Sequence, residues 1–373
     1  MRVAFDARKI HDFGIGTYIR NILRQLARLD RETEYVLICQ PRDRDLPASL
    51  GENFTAAIDR SKPYSVREQF SIPWAVLRCR ATLLHEPHYV LPPLVTRTRT
   101  VVTIHDCIHL RFPQYLPNRA ALAYARTQMG SAARRAHHVV TVSEASKRDI
   151  LHFFPDVQPE KITVIYNGID ERFAEPPPPD AMQRVAERYQ LQGRFLLYVG
   201  NVKPHKNLER LLEAFHLVRQ TPGLDDLRLV MIGDEISRYS ALRRAVHRNN
   251  LHKYVRFLGF LPDHMLPIVY RLASVFVFPS LYEGFGLPPL EAMASGTPVV
   301  TSNVSSLPEV TGDAAILVDP LSVEAIADGI RRVLTDRELA DALRSRGLAR
   351  AREFSWERAA TALRRIYADV SAR

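Results

Sequence analysis

Cysteine is scarce in this chain of 373 residues, and the three that occur, Cys39, Cys79 and Cys107, are scattered along it. An odd, scattered set gives no disulfide framework, and its spacing is not that of a zinc site. The N-terminus passes directly into an apolar strand pattern, Val3-Ala4-Phe5, with no signal peptide before it. We therefore expect a cytoplasmic protein, because the cytosol keeps thiols reduced.

Long apolar runs are also missing, since no stretch of about 18 or more apolar residues occurs, and no membrane span is predicted. Acidic residues are outnumbered by basic ones, 41 against 51, which leaves a net charge of +10. Such a balance indicates an anionic partner, which can be nucleotide phosphate, an anionic membrane surface or nucleic acid. Nucleic acid ranks last because we find no nucleic-acid motif and no interleaving of aromatic and basic residues.

Strand patterns alternate with helical patterns along the chain, which predicts α/β domains with doubly wound parallel sheets. In the first half the strands are predicted at residues 3–6, 35–39, 82–85, 101–104, 138–142 and 162–166. In the second half they are predicted at residues 195–199, 227–232, 255–259, 274–279, 298–301 and 315–318. The length suits two domains, and the proline-rich segment 175–180 is a stiff spacer. We predict an N-terminal domain at 1–175, a C-terminal domain at 176–355 and a last helix at 356–373.

The most informative stretch covers residues 280–296, which follow an apolar strand pattern and contain Gly284 and Gly286. These glycines let the backbone come close to a ligand. Two prolines follow them, as suits the first turn of a helix, where an N–H is not needed. A strand, a glycine loop and a helix N-terminus together favour the binding of phosphate by N–H groups and the helix dipole.

Two carboxylates flank this loop, Glu283 before it and Glu291 one turn into the helix. Carboxylates are poor phosphate ligands, but they accept hydrogen bonds well from sugar hydroxyls. A phosphate site between two hydroxyl acceptors fits a sugar joined to a nucleotide by a diphosphate. The alternative is an ordinary strand-to-helix turn with two surface glutamates, which the complete ordered string makes the weaker interpretation.

Two glutamates bracket the sequence Gly-Phe-Gly-Leu-Pro, and the second of them begins the sequence Glu-Ala-Met-Ala-Ser-Gly-Thr-Pro-Val-Val. This pattern resembles that of the retaining nucleotide-sugar glycosyltransferases of family 4. These are the group 1, mannosyltransferase-like glycosyltransferases, and the resemblance covers nearly the whole chain. It implies the GT-B fold, in which two Rossmann-like domains face a central cleft and the last helix crosses back to the N-terminal domain. It also implies that the N-terminal domain holds the acceptor and the C-terminal domain holds the nucleotide sugar.

Lys206 follows the strand predicted at 195–199 and is the best cation for a diphosphate in the second half, because a fixed ammonium stabilises a leaving phosphate. His105 follows the strand at 101–104, at the edge where ligands bind, and can bond a sugar hydroxyl or donate to developing charge. The resemblance implies that the catalytic residues are His105, Lys206 and Glu283. It implies that the donor-binding residues are Gly14, Gly16, Asn201, Gly284, Phe285, Gly286, Leu287 and Glu291, with Glu291 on the ribose hydroxyls.

Two of these positions leave alternatives open. Similar enzymes have an arginine where this chain has Asn201, so either Asn201 bonds phosphate itself or Lys203 compensates. Gly14 and Gly16 form a second glycine loop before a helix, and a plain tight turn is as good an interpretation for Gly14. That loop is not a dinucleotide fingerprint, since Ile19 stands where the third glycine belongs.

Two further segments carry weaker signals. His85, Glu86 and His88 follow a predicted strand and could line the acceptor cleft, whereas zinc is disfavoured because no third ligand is suitably spaced. The helix predicted at 118–138 is basic and amphipathic, which suits either an anionic membrane or a solvated helix face. The protein is accordingly predicted to be cytoplasmic, with peripheral contact to the inner face of the membrane as a hypothesis.

The resemblance implies that a hexose, with mannose favoured, moves from a GDP- or UDP-sugar to a hydroxyl of a glycan or lipid-linked glycan. The anomeric configuration is retained because attack occurs on the face that the diphosphate leaves, and the leaving phosphate takes the acceptor proton. No metal and no other cofactor is expected. The alternatives are a GT-B sugar-nucleotide epimerase and a non-catalytic nucleotide-sugar-binding protein.

Overall fold

The computed structural model describes residues 1–233 and 239–372. The chain divides into two compact units, the first formed by Met1–Gly168 with Ser355–Arg373 and the second by Ile169–Phe354. The boundary predicted at residues 175–176 therefore lies after this division, and the last helix groups with the first unit. Among the described helices, none has the length and apolarity that crossing a bilayer requires.

The first unit is built on a parallel sheet of seven strands in the order β3-β2-β1-β4-β5-β6-β7. Most of its central strands are fully buried, as runs rich in Val, Ile and Leu in a sheet covered on both faces should be. The strands are β1 Arg2–Asp6, β2 Glu34–Cys39, β3 Phe54–Ile58, β4 Leu83–Glu86, β5 Arg99–Ile104, β6 His138–Thr141 and β7 Ile162–Val164.

Helices connect these strands, and the last helix of the chain packs against the first. The helices of this unit are α1 Phe13–Leu29, α2 Glu68–Arg78, α3 Ile108–Arg111, α4 Arg119–Arg135, α5 Glu144–Phe153 and α15 Trp356–Ala372. Helix α15 buries Leu363 and Tyr367 completely. The Tyr367 hydroxyl lies 2.5 Å from Nδ1 of His85, so a residue at the chain end closes a hydrogen bond to β4.

The second unit repeats the same architecture with a parallel sheet of six strands in the order β10-β9-β8-β11-β12-β13. Its strands are β8 Phe195–Val199, β9 Arg228–Ile232, β10 Val255–Gly259, β11 Val275–Phe278, β12 Val299–Ser302 and β13 Ala315–Val318. Its helices are α6 Glu171–Ala174, α7 Pro179–Arg188, α8 Leu208–Arg219, α9 Ser240–Arg248, α10 Leu266–Leu272, α11 Leu287–Ala294, α12 Leu307–Thr311, α13 Val323–Thr335 and α14 Arg337–Ala351. Buried aromatic and aliphatic side chains of β8 and β11 form the centre of its core.

Two local predictions differ from the structure. Strand β3 was not predicted, because it is an edge strand whose middle residues are exposed and carry no long apolar pattern. The prediction of a glycine loop at Gly14 and Gly16 is wrong, because both residues lie in helix α1, which begins at Phe13. Glycine is nevertheless required at position 16, since a Cβ there would lie 2.4 Å from the carbonyl oxygen of Ile10, whereas Gly14 faces open space.

Candidate functional site

The strand order of the second sheet reverses between β8 and β11, which are neighbours there. In open parallel sheets, ligands bind beyond the carboxyl ends of the strands at such a reversal, because the two following loops leave a crevice there. The segments that follow these two strands are residues 200–207 and 279–286, and they contain the predicted site residues Asn201, Lys206, Glu283, Gly284, Phe285 and Gly286. The topology therefore places the candidate site at this edge of the second sheet.

An ion pair joins the two segments at this point. The Nζ atom of Lys206 lies 2.7 Å from Oε1 of Glu283, and both side chains are largely buried, at 12% and 13% exposed. The same ammonium lies 5.1 Å from the ring centroid of Phe278, at the end of β11. The backbone N–H of Leu281 donates to the carbonyl of His205 at 2.7 Å, which ties the two segments together next to the pair.

Two serines that follow β12 hold the backbone around Glu283. Its N–H donates to Oγ of Ser305 at 3.0 Å, and the hydroxyl of Ser306 donates to the carbonyls of Glu283 and Phe285. Ser305 has a left-handed backbone, with φ of 54°, which costs energy for a residue other than glycine. Sequence reasoning missed both serines, and the Ser-Ser pair just after a buried strand was the available signal.

Asn207 organises the other segment. It has a left-handed backbone with φ of 60°, and its buried side-chain amide donates to the carbonyls of Pro279 and Pro320 at 3.0 and 2.6 Å. Asparagine adopts this conformation more readily than most residues. Because Asn207 immediately follows Lys206, these bonds fix where the Lys206 backbone lies relative to the end of β11.

The turn into α11 requires glycine at position 286. Gly286 has φ of 111°, and a Cβ there would lie 2.9 Å from a methyl group of Leu307. The prolines of the first helical turn have no N–H, so the amides that the helix entrance can offer to an anion are those of Gly286 and Leu287. The predicted phosphate donors are thus confined to a few backbone groups at the helix entrance.

Glu291 lies on α11 and is half-buried. Its Oε2 accepts a hydrogen bond of 2.9 Å from the hydroxyl of Tyr270, a fully buried side chain that sequence reasoning did not single out. Burial raises the pKa of Glu291 to about 7, although the Tyr270 bond acts in the opposite direction. Near neutral pH this carboxyl therefore changes between a neutral group and a hydrogen-bond acceptor that carries full charge.

The residues on the loop after β8 occupy different environments. The side chain of Lys203 is exposed, while Asn201 is partly buried and its carbonyl accepts a 3.0 Å bond from the hydroxyl of Tyr198. The structure brings Lys206, and not Lys203, into contact with Glu283. The two alternatives for the missing arginine therefore both stand: Asn201 bonds phosphate itself, or Lys203 supplies the charge.

His105 belongs to the first unit, where it follows β5. Its Nε2 lies 2.9 Å from the carbonyl oxygen of Pro87, and its ring meets Tyr18 edge-on at 5.0 Å. Because a carbonyl can only accept, Nε2 carries the proton and Nδ1 carries the lone pair. Burial lowers the pKa of His105 to about 4, so the ring is neutral at pH 7. In this state Nδ1 can accept from a hydroxyl, whereas the ring N–H is already donated to Pro87.

The first sheet also reverses its strand order, between β1 and β4, and a buried charged cluster occupies this point. Arg8 donates to Asp6 and to Glu68, with N–O distances of 2.6 and 3.1 Å. Burial alone would raise the pKa of Asp6, but the Arg8 charge and the bonds from His88 and Arg8 lower it below its ordinary range. Burial and the Asp6 charge raise the pKa of Glu86 well above its ordinary value.

Within the described residues, Asp6, Glu86 and His88 are the group whose ligand atoms lie close enough together to hold a metal ion. The hydrogen bonding of the cluster does not fit a metal. Nδ1 of His88 accepts the N–H of Val90, so Nε2 carries a proton and lies 3.3 Å from Asp6. The guanidinium of Arg8 already supplies the positive charge. The disfavoured zinc site is thus better described as an internal salt-bridge cluster.

Comparison with known proteins finds matches in both halves of the chain. A family model described as group 1 glycosyl transferases matches residues 182–350, and one described as Glycosyltransferase Family 4 matches residues 14–173. The O-antigen chain mannosyltransferase B of Escherichia coli is 35% identical over 290 residues, which cover 77% of this chain and 74% of that protein. The serotype-specific mannosyltransferase WbdA of Escherichia coli is 30% identical over 266 residues, which cover 69% of this chain but 32% of that protein.

Two solved structures resemble the whole chain. The sucrose-phosphate synthase of Thermosynechococcus elongatus has a TM-score of 0.80 at 21% identity and covers 100% of this chain and 99% of its own. HepE of Anabaena, solved in complex with UDP-glucose, has a TM-score of 0.80 at 18% identity and covers 99% of this chain and 100% of its own. At these identities the likeness concerns the fold alone.

The environment of Glu291 generates a prediction about pH. If this carboxylate accepts the hydroxyls of a nucleotide sugar, binding favours its ionised form and requires loss of the proton that burial retains. Affinity should then rise about tenfold between pH ~6 and ~8, because the pKa of about 7 lies inside that range. Calorimetric titration with a nucleotide sugar, whose diphosphate is fully ionised throughout, measures this and the accompanying proton release.

Glu291→Gln serves as the control because it cannot titrate, and its weaker affinity should be independent of pH. Tyr270→Phe removes a bond that lowers the pKa of Glu291, so the rise in affinity should move to higher pH. A wild-type affinity that does not change with pH would contradict the assignment of Glu291.

Proposed function

This chain belongs to glycosyltransferase family 4, is a glycosyltransferase and has the GT-B fold, and from that premise we propose its reaction. It transfers a hexose, with mannose favoured, from a GDP- or UDP-sugar to a hydroxyl of a glycan or lipid-linked glycan, with retention of configuration. Mannose is favoured because the Escherichia coli relatives at 35% and 30% identity are named as mannosyltransferases, one of them of O-antigen chains. The acceptor class proposed here is accordingly a growing O-antigen-type polysaccharide.

The observation that carries the proposal is the Lys206–Glu283 ion pair beside the glycine turn of the second unit. A diphosphate bound at the amides of Gly286 and Leu287 brings negative charge to this point, and Lys206 then has a second anionic partner. Breaking the bond between sugar and phosphate moves further charge onto the phosphate oxygen. A fixed ammonium in a largely buried site stabilises that charge more strongly than one in water.

We assign Glu283 to the sugar hydroxyls and not to nucleophilic attack. A carboxylate held 2.7 Å from an ammonium is stabilised as an anion and is therefore a weak nucleophile. It remains a good hydrogen-bond acceptor, which is the property that orienting a hexose requires. The acceptor hydroxyl then attacks on the face that the diphosphate leaves, and the leaving phosphate takes its proton. The product keeps the anomeric configuration of the donor.

The remaining roles follow from their positions. Glu291 receives the ribose hydroxyls, Gly284 and Phe285 supply the turn around the diphosphate, and Asn201 lies on the loop after β8. His105 accepts a hydroxyl hydrogen bond at Nδ1. We propose no metal and no other cofactor, since Lys206 and backbone amides supply the positive charge, and a chelator should leave the rate unchanged.

We propose that the enzyme works in the cytoplasm and contacts the inner face of the membrane peripherally. The net charge of +10 supports this, because anionic lipid attracts a basic protein surface. A lipid-linked acceptor lies at such a surface.

The direct test is a transfer assay with purified protein, a panel of GDP- and UDP-hexoses and a mannose-containing lipid-linked acceptor. We expect one donor to be consumed only when the acceptor is present, with mannose as the transferred sugar. NMR of the product should show the same anomeric configuration as the donor. An inverted product would contradict the retaining mechanism, and donor conversion without an acceptor would indicate an epimerase.

A second prediction concerns the leaving group. Lys206→Met should lower kcat by roughly 10²- to 10³-fold, as expected when one charge-stabilising group of a transition state is removed. Steady-state kinetics with saturating donor measures this. Lys253→Met is the matched control, since this lysine lies in the same unit but is exposed and precedes β10, and its rate should remain close to that of the wild type. Equal losses in both variants would contradict a specific role for Lys206.

A further inference from the structure

Helix α2 has two apolar faces on opposite sides. Ile72 and Val76 are buried against the core of the first unit. Phe70, Trp74 and Leu77 point the other way, because a helix turns by about 100° per residue and these positions fall on the opposite side. A helix of a protein surface ordinarily places polar side chains on its outer face.

The outer face of α2 is strongly exposed. Phe70, Trp74 and Leu77 are 62%, 64% and 70% exposed, and Val66, four residues before Phe70, is 80% exposed. Single exposed apolar residues are normal on proteins, but three on one side of a helix, with a fourth in the turn just before it, form an apolar patch. Such patches mark a surface that is covered by a partner.

The exposed charged side chains between residues 60 and 80 have one sign. Five exposed basic residues lie in the same part of the sequence, and none of them forms an ion pair within the described parts of the chain: Arg60, Lys62, Arg67, Arg78 and Arg80. The acid in this stretch, Glu68, is buried and bonded to Arg8. The patch therefore presents an apolar strip with unpaired positive charge beside it.

We propose that this surface, formed by Val66, Phe70, Trp74 and Leu77 with the five basic residues, docks the protein onto an anionic lipid bilayer. Tryptophan and phenylalanine insert at the boundary between headgroups and acyl chains, while Arg and Lys contact the lipid phosphates. A second copy of the chain fits less well, because pairing two such surfaces would bring like charges together. The contact is interfacial, since this helix is too short to span a bilayer.

Helix α4, the basic helix that the sequence suggested for membrane contact, has a different environment. Its Met129 is fully buried, so its apolar side faces the core of its own unit. Arg134 pairs with Asp156, and Arg135 donates to backbone carbonyls of residues 91–95. Little apolar surface and fewer unpaired charges remain on α4 for a bilayer.

The inference rests on the proposed membrane contact but not on the proposed transfer reaction. The test is co-sedimentation of the full chain with vesicles of phosphatidylglycerol and phosphatidylcholine, and with vesicles of phosphatidylcholine alone. We expect binding to the anionic vesicles that weakens with added salt. The triple variant Phe70→Gln/Trp74→Gln/Leu77→Gln should bind them at least about tenfold more weakly, because it loses the apolar insertion.

Matched variants separate the apolar and charge contributions. Leu321→Gln changes a similarly exposed leucine, 63% exposed in the second unit, and should bind as the wild type does. Arg67→Gln/Arg78→Gln should weaken binding to anionic vesicles, whereas Arg352→Gln/Arg365→Gln, which removes equal charge from exposed positions elsewhere, should not.

Circular dichroism and nucleotide-sugar binding in solution confirm that each variant is folded. Wild-type binding that is equal for both vesicle types, or a triple variant that binds like the wild type, would overturn the proposal. So would a wild-type dimer, seen by analytical ultracentrifugation, that the triple variant abolishes while vesicle binding is absent. Transfer to a soluble acceptor in detergent is measured separately, so that failure of the reaction and failure of docking are distinguishable.

Discussion

The ion pair between Lys206 and Glu283 is the interaction on which the candidate site depends. Burying two charges costs free energy that is recovered when they remain close and well bonded. Here the two serines after β12 and the side chain of Asn207 hold the backbone on both sides of the pair. On our proposal, an arriving diphosphate becomes a second anionic partner of Lys206, while Glu283 stays in the pair and accepts the sugar hydroxyls with its remaining lone pairs.

The two units use the same kind of sheet edge for different chemistry. At the strand reversal of the second unit, one base, Lys206, and one acid, Glu283, lie on the two loops that we propose to bind the ligand. At the reversal of the first unit, Arg8 is buried among acids, and burial raises the pKa of Glu86 well above its ordinary value. The charges of the second unit can gain a ligand as a further partner, whereas those of the first unit form an internal structural cluster. Equal topology therefore does not imply an equal role.

The sequence predicted most of the strands and their parallel arrangement, because buried parallel strands are nearly continuous apolar runs. It also placed Lys206 and Glu283 on loops at the carboxyl ends of neighbouring strands, and the structure shows these two side chains in contact. It did not predict the contacts of Ser305 or Tyr270, because these depend on which side chains from distant segments face the same point.

The exposure of individual side chains could not be predicted from the sequence either, because it too depends on which distant segments pack together. The outer face of α2 has the residue types of a core, and nothing in the local sequence distinguishes Trp74 from a buried residue. Which apolar face of this helix packs inward is decided by its contact with the sheet. The basic helix α4 presents the reverse case, since its arginines suggested a membrane surface while its apolar side packs into the protein.

The most direct measurement of the central claim is a crystal structure of the protein with a bound nucleoside diphosphate. The account predicts that the diphosphate lies within hydrogen-bonding distance of Lys206 Nζ and of the amides of Gly286 and Leu287, with the ribose at Glu291. A diphosphate bound elsewhere, with the Lys206–Glu283 pair unchanged and the turn before α11 unoccupied, would contradict it.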